Sequence, residues 1–142
     1  MSQAIVLQVG VKILLQNAAG QYLLLHRSVL KYPDAKGRWD IVGGRINPGT
    51  PFLDNLRREV KEETGLEISG RPRLVAAQDI LRVSGYHIVR LTYVGQAQGE
   101  IKLDETENDA YQWYSREEIS ALADLDDYLR QALPEIWSKD VI

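Results

Sequence analysis

The sequence predicts a layered α/β (α+β) domain around one mixed sheet, and three observations carry that reading. Two early segments, "AIVLQVGVKILLQ" and "QYLLLHR", are apolar enough on both faces to lie under covering helices. A run with helical spacing separates them from later strand-like runs, and the chain closes on another helical run. Strands interleaved with a few helices pack as layers, because each element must bury its apolar face against another.

Each element follows from its local pattern. The two early segments, joined by "NAAG", read as strands of a hairpin. The polar "SVLKYPDAKGR" is a loop suited to building a site, and "WDIVGG" is a short strand before "RIN" and a turn at Pro48 and Gly49. From Pro51 to Thr64 the spacing is helical, with Phe52, Leu53, Leu56 and Val60 on one side and Gly65 where a left-handed stop belongs. Thr50 followed by Pro51 is a helix-start pattern, so the Thr50 hydroxyl is expected to cap this helix. "RLVAAQDILRV" and "YHIVRLTYVGQA" read as strands meeting at Ser84 and Gly85, and "DAYQWYS" as one more. Ser115 is expected to cap a short helix through Ala121, and Asp126 a longer one carrying Leu129, Leu133 and Ile136.

The 142 residues suit a single domain, 1–142, with a real core. A formal charge of −3 argues against broad adhesion to duplex nucleic acid or an anionic membrane. The chain has no cysteine, which excludes disulfides, thiolate metal sites and a cysteine nucleophile, and leaves oxygen or imidazole to hold any metal. The opening stretch has no basic n-region and carries Lys12 within its apolar run, so a soluble cytoplasmic protein with no membrane segment is expected. Neither a G-x-S-x-G nor a P-loop pattern is present. Quaternary state stays open, a homodimer included.

The chemistry concentrates in "GGRINPGTPFLDNLRREVKEETGL". At 100° per residue Glu63 falls beside Leu56 on the buried stripe, Glu59 on its flank and Glu62 further round, while Arg57 and Lys61 point away. Three inward carboxylates with no cationic side chain on their own face are therefore expected. Crowded, half-buried carboxylates must be protonated, paired or bound to a cation. An oxygen-only cluster beside glycine carbonyls suits a hard ion such as Mg²⁺. The plain alternative is an amphipathic helix whose Glu and Lys/Arg residues make surface pairs.

The spacing of these residues resembles the Nudix hydrolase box: a glycine, five residues, an acid, seven residues, then R-E-U-x-E-E-x-G-U with U apolar. Here it runs through Gly44, Thr50, Arg58, Glu59, Val60, Glu62, Glu63, Gly65 and Leu66, and Thr50 departs from it, standing where the family has glutamate. The resemblance implies an α/β/α sandwich around a mixed sheet and hydrolysis of a nucleoside diphosphate linked to another moiety, X. By the same resemblance Glu59, Glu62 and Glu63, with the Gly43 carbonyl, hold Mg²⁺, or Mn²⁺ in its place. Glu62 or Glu63 doubles as the base, or an acid from a later loop does so; Glu107 is the first such candidate and Glu105 the second, with two solvated loop acids as the plain reading. The small size tilts the substrate to a nucleoside triphosphate, of the MutT-like kind. A dinucleoside polyphosphate, a nucleotide sugar and a catalytically silent nucleotide-sensing module are the alternatives. Arg27, Arg38 and Trp39 are candidate substrate contacts, against solvated charges and a core aromatic, and His26 and His87 read as structural. With the Thr50 departure the box loses its usual acid partner for Arg58.

Overall fold

Strand β1 (Val6–Gln16) is the axis of the molecule because every other strand is placed through it. The computed structural model describes residues 4–140, and β1 runs parallel to β6 (Tyr86–Gln98) from Val6–Tyr86 to Gln16–Gln96. Beyond β6 lies β5 (Glu67–Ile80), paired antiparallel as the turn at Ser84 and Gly85 requires. On the other side β1 divides its edge. Gly10 to Ile13 pair antiparallel with β4 (Val42–Arg45), while Gln16 alone meets Tyr22 of β2 (Tyr22–Arg27). The expected hairpin is therefore pinned only at its turn. Past it β2 leaves β1 and pairs with β3 (Trp39–Asp40) and, from Tyr22–Tyr114 to Arg27–Asn108, with β7 (Asn108–Tyr114). Lys12 on β1, Arg27 on β2 and Asp40 on β3 meet where the sheet parts.

Helices cover both faces, as an α/β/α sandwich requires. Side chains alternate across a strand, so Val11, Ile13 and Leu15 face α1 (Phe52–Thr64) through Leu56 and Val60, whereas Leu14, Tyr22 and Leu24 face α2 (Arg116–Ala121) and α3 (Asp127–Lys139) through Ile119, Leu129 and Ile136. Each of those eleven side chains is fully buried. The caps of the last two helices are as expected: Ser115 accepts from the Glu118 N–H in a reciprocal capping box, and Asp126 accepts from the Leu129 N–H.

Three local expectations need correction. Strand β5 starts at Glu67, not near Arg73, because Gly70 (φ +69°) and Pro72 sit in a bulge, with the register shifting between Ser69 and Arg73, and do not end the strand. Phe52 is 42% exposed and stacks over Tyr93 at 6.1 Å between centroids, outside the stripe of Leu56 and Val60. Thr50 does not cap α1. The helix starts one residue later than a Thr50 cap needs, and the N-cap position falls on Pro51, which has no side-chain acceptor.

Candidate active site

The loop from β4 into α1 brings the acids to two glycines. Gly43 adopts φ +145°, and a Cβ there would lie 2.0 Å from the Val11 carbonyl oxygen, so only glycine lets β4 reach β1. A Cβ on Gly44 would lie 3.1 Å from the Glu59 carboxyl carbon, so that carboxylate rests against bare backbone. The Glu63 Oε2 accepts the Gly43 N–H at 3.1 Å. At the far end Gly65, φ +74°, closes α1 by donating its N–H to the Lys61 carbonyl.

The three helix acids differ in setting. Burial first, then the charges of Glu59 and Asp40, pushes Glu63 up to about 7 against the pull of Lys12 and the Gly43 N–H. Glu59 is largely shielded and meets Arg58 at 3.2 Å, whereas the Glu62 side chain is 58% exposed and meets Arg58 at 3.0 Å. The expectation of acids without a cation on their own face is thus overturned: Arg58 turns along the helix to pair with Glu59 and Glu62, the second at i,i+4 spacing. Among the described residues no three His, Asp or Glu side chains converge as a ready metal cage. Glu59 and Glu63 share the Gly43–Gly44 backbone, and Glu62 stands outside them.

Glu63 opens into a cavity of about 210 Å³ lined also by Gly43, Lys12, Arg27, Tyr32, Glu107 and Asn108. Glu107 is thus brought to the same space as Glu63, while Glu105 lines a separate shallow groove with Tyr111. A second cavity of about 290 Å³ shares Lys12 and Arg27 with the first and runs past Arg90, Asp40 and Asp126 to an apolar wall of Ile80, Val83, Ile88 and Tyr128. Its floor is a buried charge network. Lys12 donates to Asp40 at 3.1 Å, Arg27 to Asp40 at 3.3 Å, and Arg90 to Asp40 at 3.2 Å and to Asp126 at 3.3 Å. Burial opposes the Asp40 charge, but Lys12, Arg90 and Arg27 outweigh it and hold the carboxyl well below its usual range. Burial and the neighbouring Asp40 charge push Asp126 upward.

Of the three expected substrate contacts, Arg27 alone lines these cavities. Arg38 directs its guanidinium at the carbonyls of Arg27, Ser28 and Pro33 and so braces the loop. Trp39 packs edge-on against His26 at 4.9 Å and Tyr114 at 5.5 Å, beside the core under α3. Tyr32 reads from sequence as either core or a base-bordering aromatic, Asp126 only as a helix cap, and Lys12, Asp40 and Arg90 not as site residues. The available signal was Lys12 itself: a charge inside a strand buried on both faces needs a partner.

Known proteins share this architecture. The NUDIX domain model matches residues 6–136. The NAD-capped RNA hydrolase of Homo sapiens is 34% identical over 83 residues, which are 58% of this chain and 17% of that protein, so the chain spans about a sixth of that relative's length. The asymmetrical bis(5'-nucleosyl)-tetraphosphatase of Mus musculus is 31% identical over 117 residues, 77% of this chain and 74% of that one. The MutT protein from Methanosarcina mazei Go1 superposes with a TM-score of 0.81 at 25% identity, covering 99% of this chain and all of that one.

Proposed function

The chain belongs to the Nudix hydrolase family, and from that premise we propose that it hydrolyses the pyrophosphate bond of a nucleoside diphosphate linked to X, with a nucleoside triphosphate as substrate and a monophosphate and pyrophosphate as products. The observation that carries the proposal is the junction of the two cavities at Lys12 and Arg27. A polyphosphate lying across these two cations extends one end toward Glu63 and Glu107 and the other toward the apolar wall of Tyr128 and Ile88. Arginine and lysine suit the phosphates as forked donor and point charge.

Glu59 and Glu63 are fitted to hold a divalent cation, Mg²⁺ or Mn²⁺. All their donors are oxygen, and the Glu63 carboxyl, half-buried and pushed up to about 7, is a charge short of a counter-ion. Held there, such an ion would supply neutralisation of the phosphate charge. Glu62 contributes only by exchanging Arg58 for that ion. Glu107 takes the proton of the attacking water: it lines the same cavity as Glu63, and the pull of Lys31 and Tyr32 keeps it ionised.

A second reading, a dinucleoside polyphosphate as substrate, is favoured by the similarity to the mouse tetraphosphatase, which extends over most of both chains. One experiment separates the readings: turnover of nucleoside triphosphates, diadenosine tetraphosphate and UDP-glucose, with and without Mg²⁺, with every product identified. Pyrophosphate plus monophosphate from triphosphates supports the first reading. No turnover of any of them with Mg²⁺ present sinks both.

A further inference from the structure

The loop between β2 and β3 is laced onto the segment that carries Glu107. The Ser28 N–H donates to the Glu107 carbonyl at 2.9 Å, and within the loop the Tyr32 N–H donates to the Ser28 carbonyl at 3.0 Å and the Lys31 N–H to the Ser28 hydroxyl at 3.2 Å. Side chains complete the junction: the Tyr32 hydroxyl donates to Glu107 Oε2 at 2.6 Å, and Lys31 pairs with Oε1. Each oxygen of Glu107 thus has its own donor. The loop tip offers no apolar anchor, with Leu30 95% exposed and Val29 51% exposed.

We propose that Tyr32 is a positioning residue for the hydrolytic step, aiming the Glu107 carboxylate into the cavity opposite Glu63; the inference rests on Glu107 acting as the base. The two donors are not equivalent. Lys31 is a flexible side chain 46% exposed, and a pair at that exposure fixes geometry weakly. Tyr32 has two side-chain torsions, is half-buried, and borders the cavity that Glu107 faces. Its single hydrogen leaves the remaining lone pairs of Glu107 Oε2 able to accept from water. In the step itself a water O–H bond breaks, its proton passes to Glu107, and the water oxygen forms the new bond to phosphorus. The bridging P–O bond breaks and its electron pair departs on the leaving phosphate. Holding the acceptor in line for that transfer acts on the reacting complex and not on substrate affinity.

The test is a cycle of Tyr32→Phe, Glu107→Gln and both together, with Lys31→Met beside it. The assay is steady-state turnover in saturating Mg²⁺ of dGTP or diadenosine tetraphosphate, whichever the wild type turns over faster. Tyr32→Phe lowers kcat by about tenfold with KM inside about twofold, and Glu107→Gln lowers kcat by about a hundredfold or more. Adding Tyr32→Phe to Glu107→Gln changes nothing further, and Lys31→Met, whose charge helps keep Glu107 ionised but fixes its direction weakly, lowers kcat less than Tyr32→Phe does. A collapsed Glu107→Gln beside a normal Tyr32→Phe overturns the role of Tyr32 alone. So does an undiminished Tyr32→Phe effect in the Glu107→Gln background, which would place its action elsewhere. A near-normal Glu107→Gln overturns the base assignment and, with it, the positioning role.

Discussion

The Asn55 carboxamide oxygen accepts the Asn47 N–H at 3.1 Å, which fastens the turn before α1 from inside the helix. Asn55 is fully buried, its Nδ2 reaches toward the Arg45 carbonyl at 3.4 Å, and Arg58 also donates to its Oδ1 at 3.1 Å. The work expected of a Thr50 cap is done here. Asn55→Ala, which strands a donor in a buried place, is expected to lower folding stability by about 1–3 kcal/mol. Thr50→Ala is expected to stay within about 0.5 kcal/mol of wild type. Denaturant unfolding of both variants decides it, and the reverse order would reinstate the cap.

What was legible in the sequence is what local periodicity controls. Leu129, Leu133 and Ile136 had to share a face, Ser115 and Glu118 had the spacing of a capping box, and Glu63 had to lie beside Leu56. The Arg58–Glu62 pair was legible too, at i,i+4, but the family pattern drew attention to the acid missing at Thr50 instead. What was not legible is long-range. Nothing local states that Val6 pairs with Tyr86, that Lys12 finds Asp40, or that Tyr32 meets Glu107. Gly70 and Pro72 carry ordinary turn chemistry, and only the partner strand shows that they mark a bulge.

The Asp40 network gives folding a defined acid limb. Asp40 in the folded protein is held below its ordinary value by Lys12, Arg90 and Arg27 despite its burial, so the unfolded chain binds its proton more readily. The stabilisation is therefore complete above the ordinary value of 3.8 and is lost as pH falls through the lower folded one. Asp40→Asn leaves Arg90 and Lys12 buried without their shared partner and is expected to lower stability by about 3–5 kcal/mol at neutral pH. The gap between wild type and variant, followed by urea unfolding, should hold steady from neutrality to about pH 4 and narrow below it. A gap that widened on acidification would reverse the sign and refute the assignment.

Glu63 has the opposite sign. Its folded carboxyl is raised to about 7, so in chelator the wild type should lose stability as pH rises through that value, whereas Glu63→Gln should not. Mg²⁺ should raise the melting temperature of the wild type at pH 8 in proportion to the logarithm of its concentration once the site is near saturation. The same titration should leave Glu63→Gln nearly unmoved, and turnover of the wild type should vanish in excess chelator. A melting temperature insensitive to Mg²⁺ in the wild type would count against the Glu59–Glu63 site.

The two glycines ahead of the helix answer to different constraints, and alanine at each separates fold from chemistry. At Gly43 the φ of +145° and a backbone oxygen 2.0 Å from the new methyl leave nothing that can yield cheaply, since the obstacle is β1 itself. Gly43→Ala is expected to lower stability by about 3 kcal/mol or more, through loss of β4 pairing. At Gly44 the nearest atoms, 3.1 Å away, belong to the Glu59 carboxylate, which can swing aside. Gly44→Ala should therefore fold with stability within about 1 kcal/mol of wild type. Its turnover should nonetheless fall about tenfold or more, with a higher Mg²⁺ requirement, because the carboxylate that moves is one of the two proposed to hold the ion. Unfolding curves and Mg²⁺ titrations of activity measured on both variants check the contrast. If Gly44→Ala kept full turnover at wild-type Mg²⁺, the Glu59 carboxylate would have no part in the chemistry as placed.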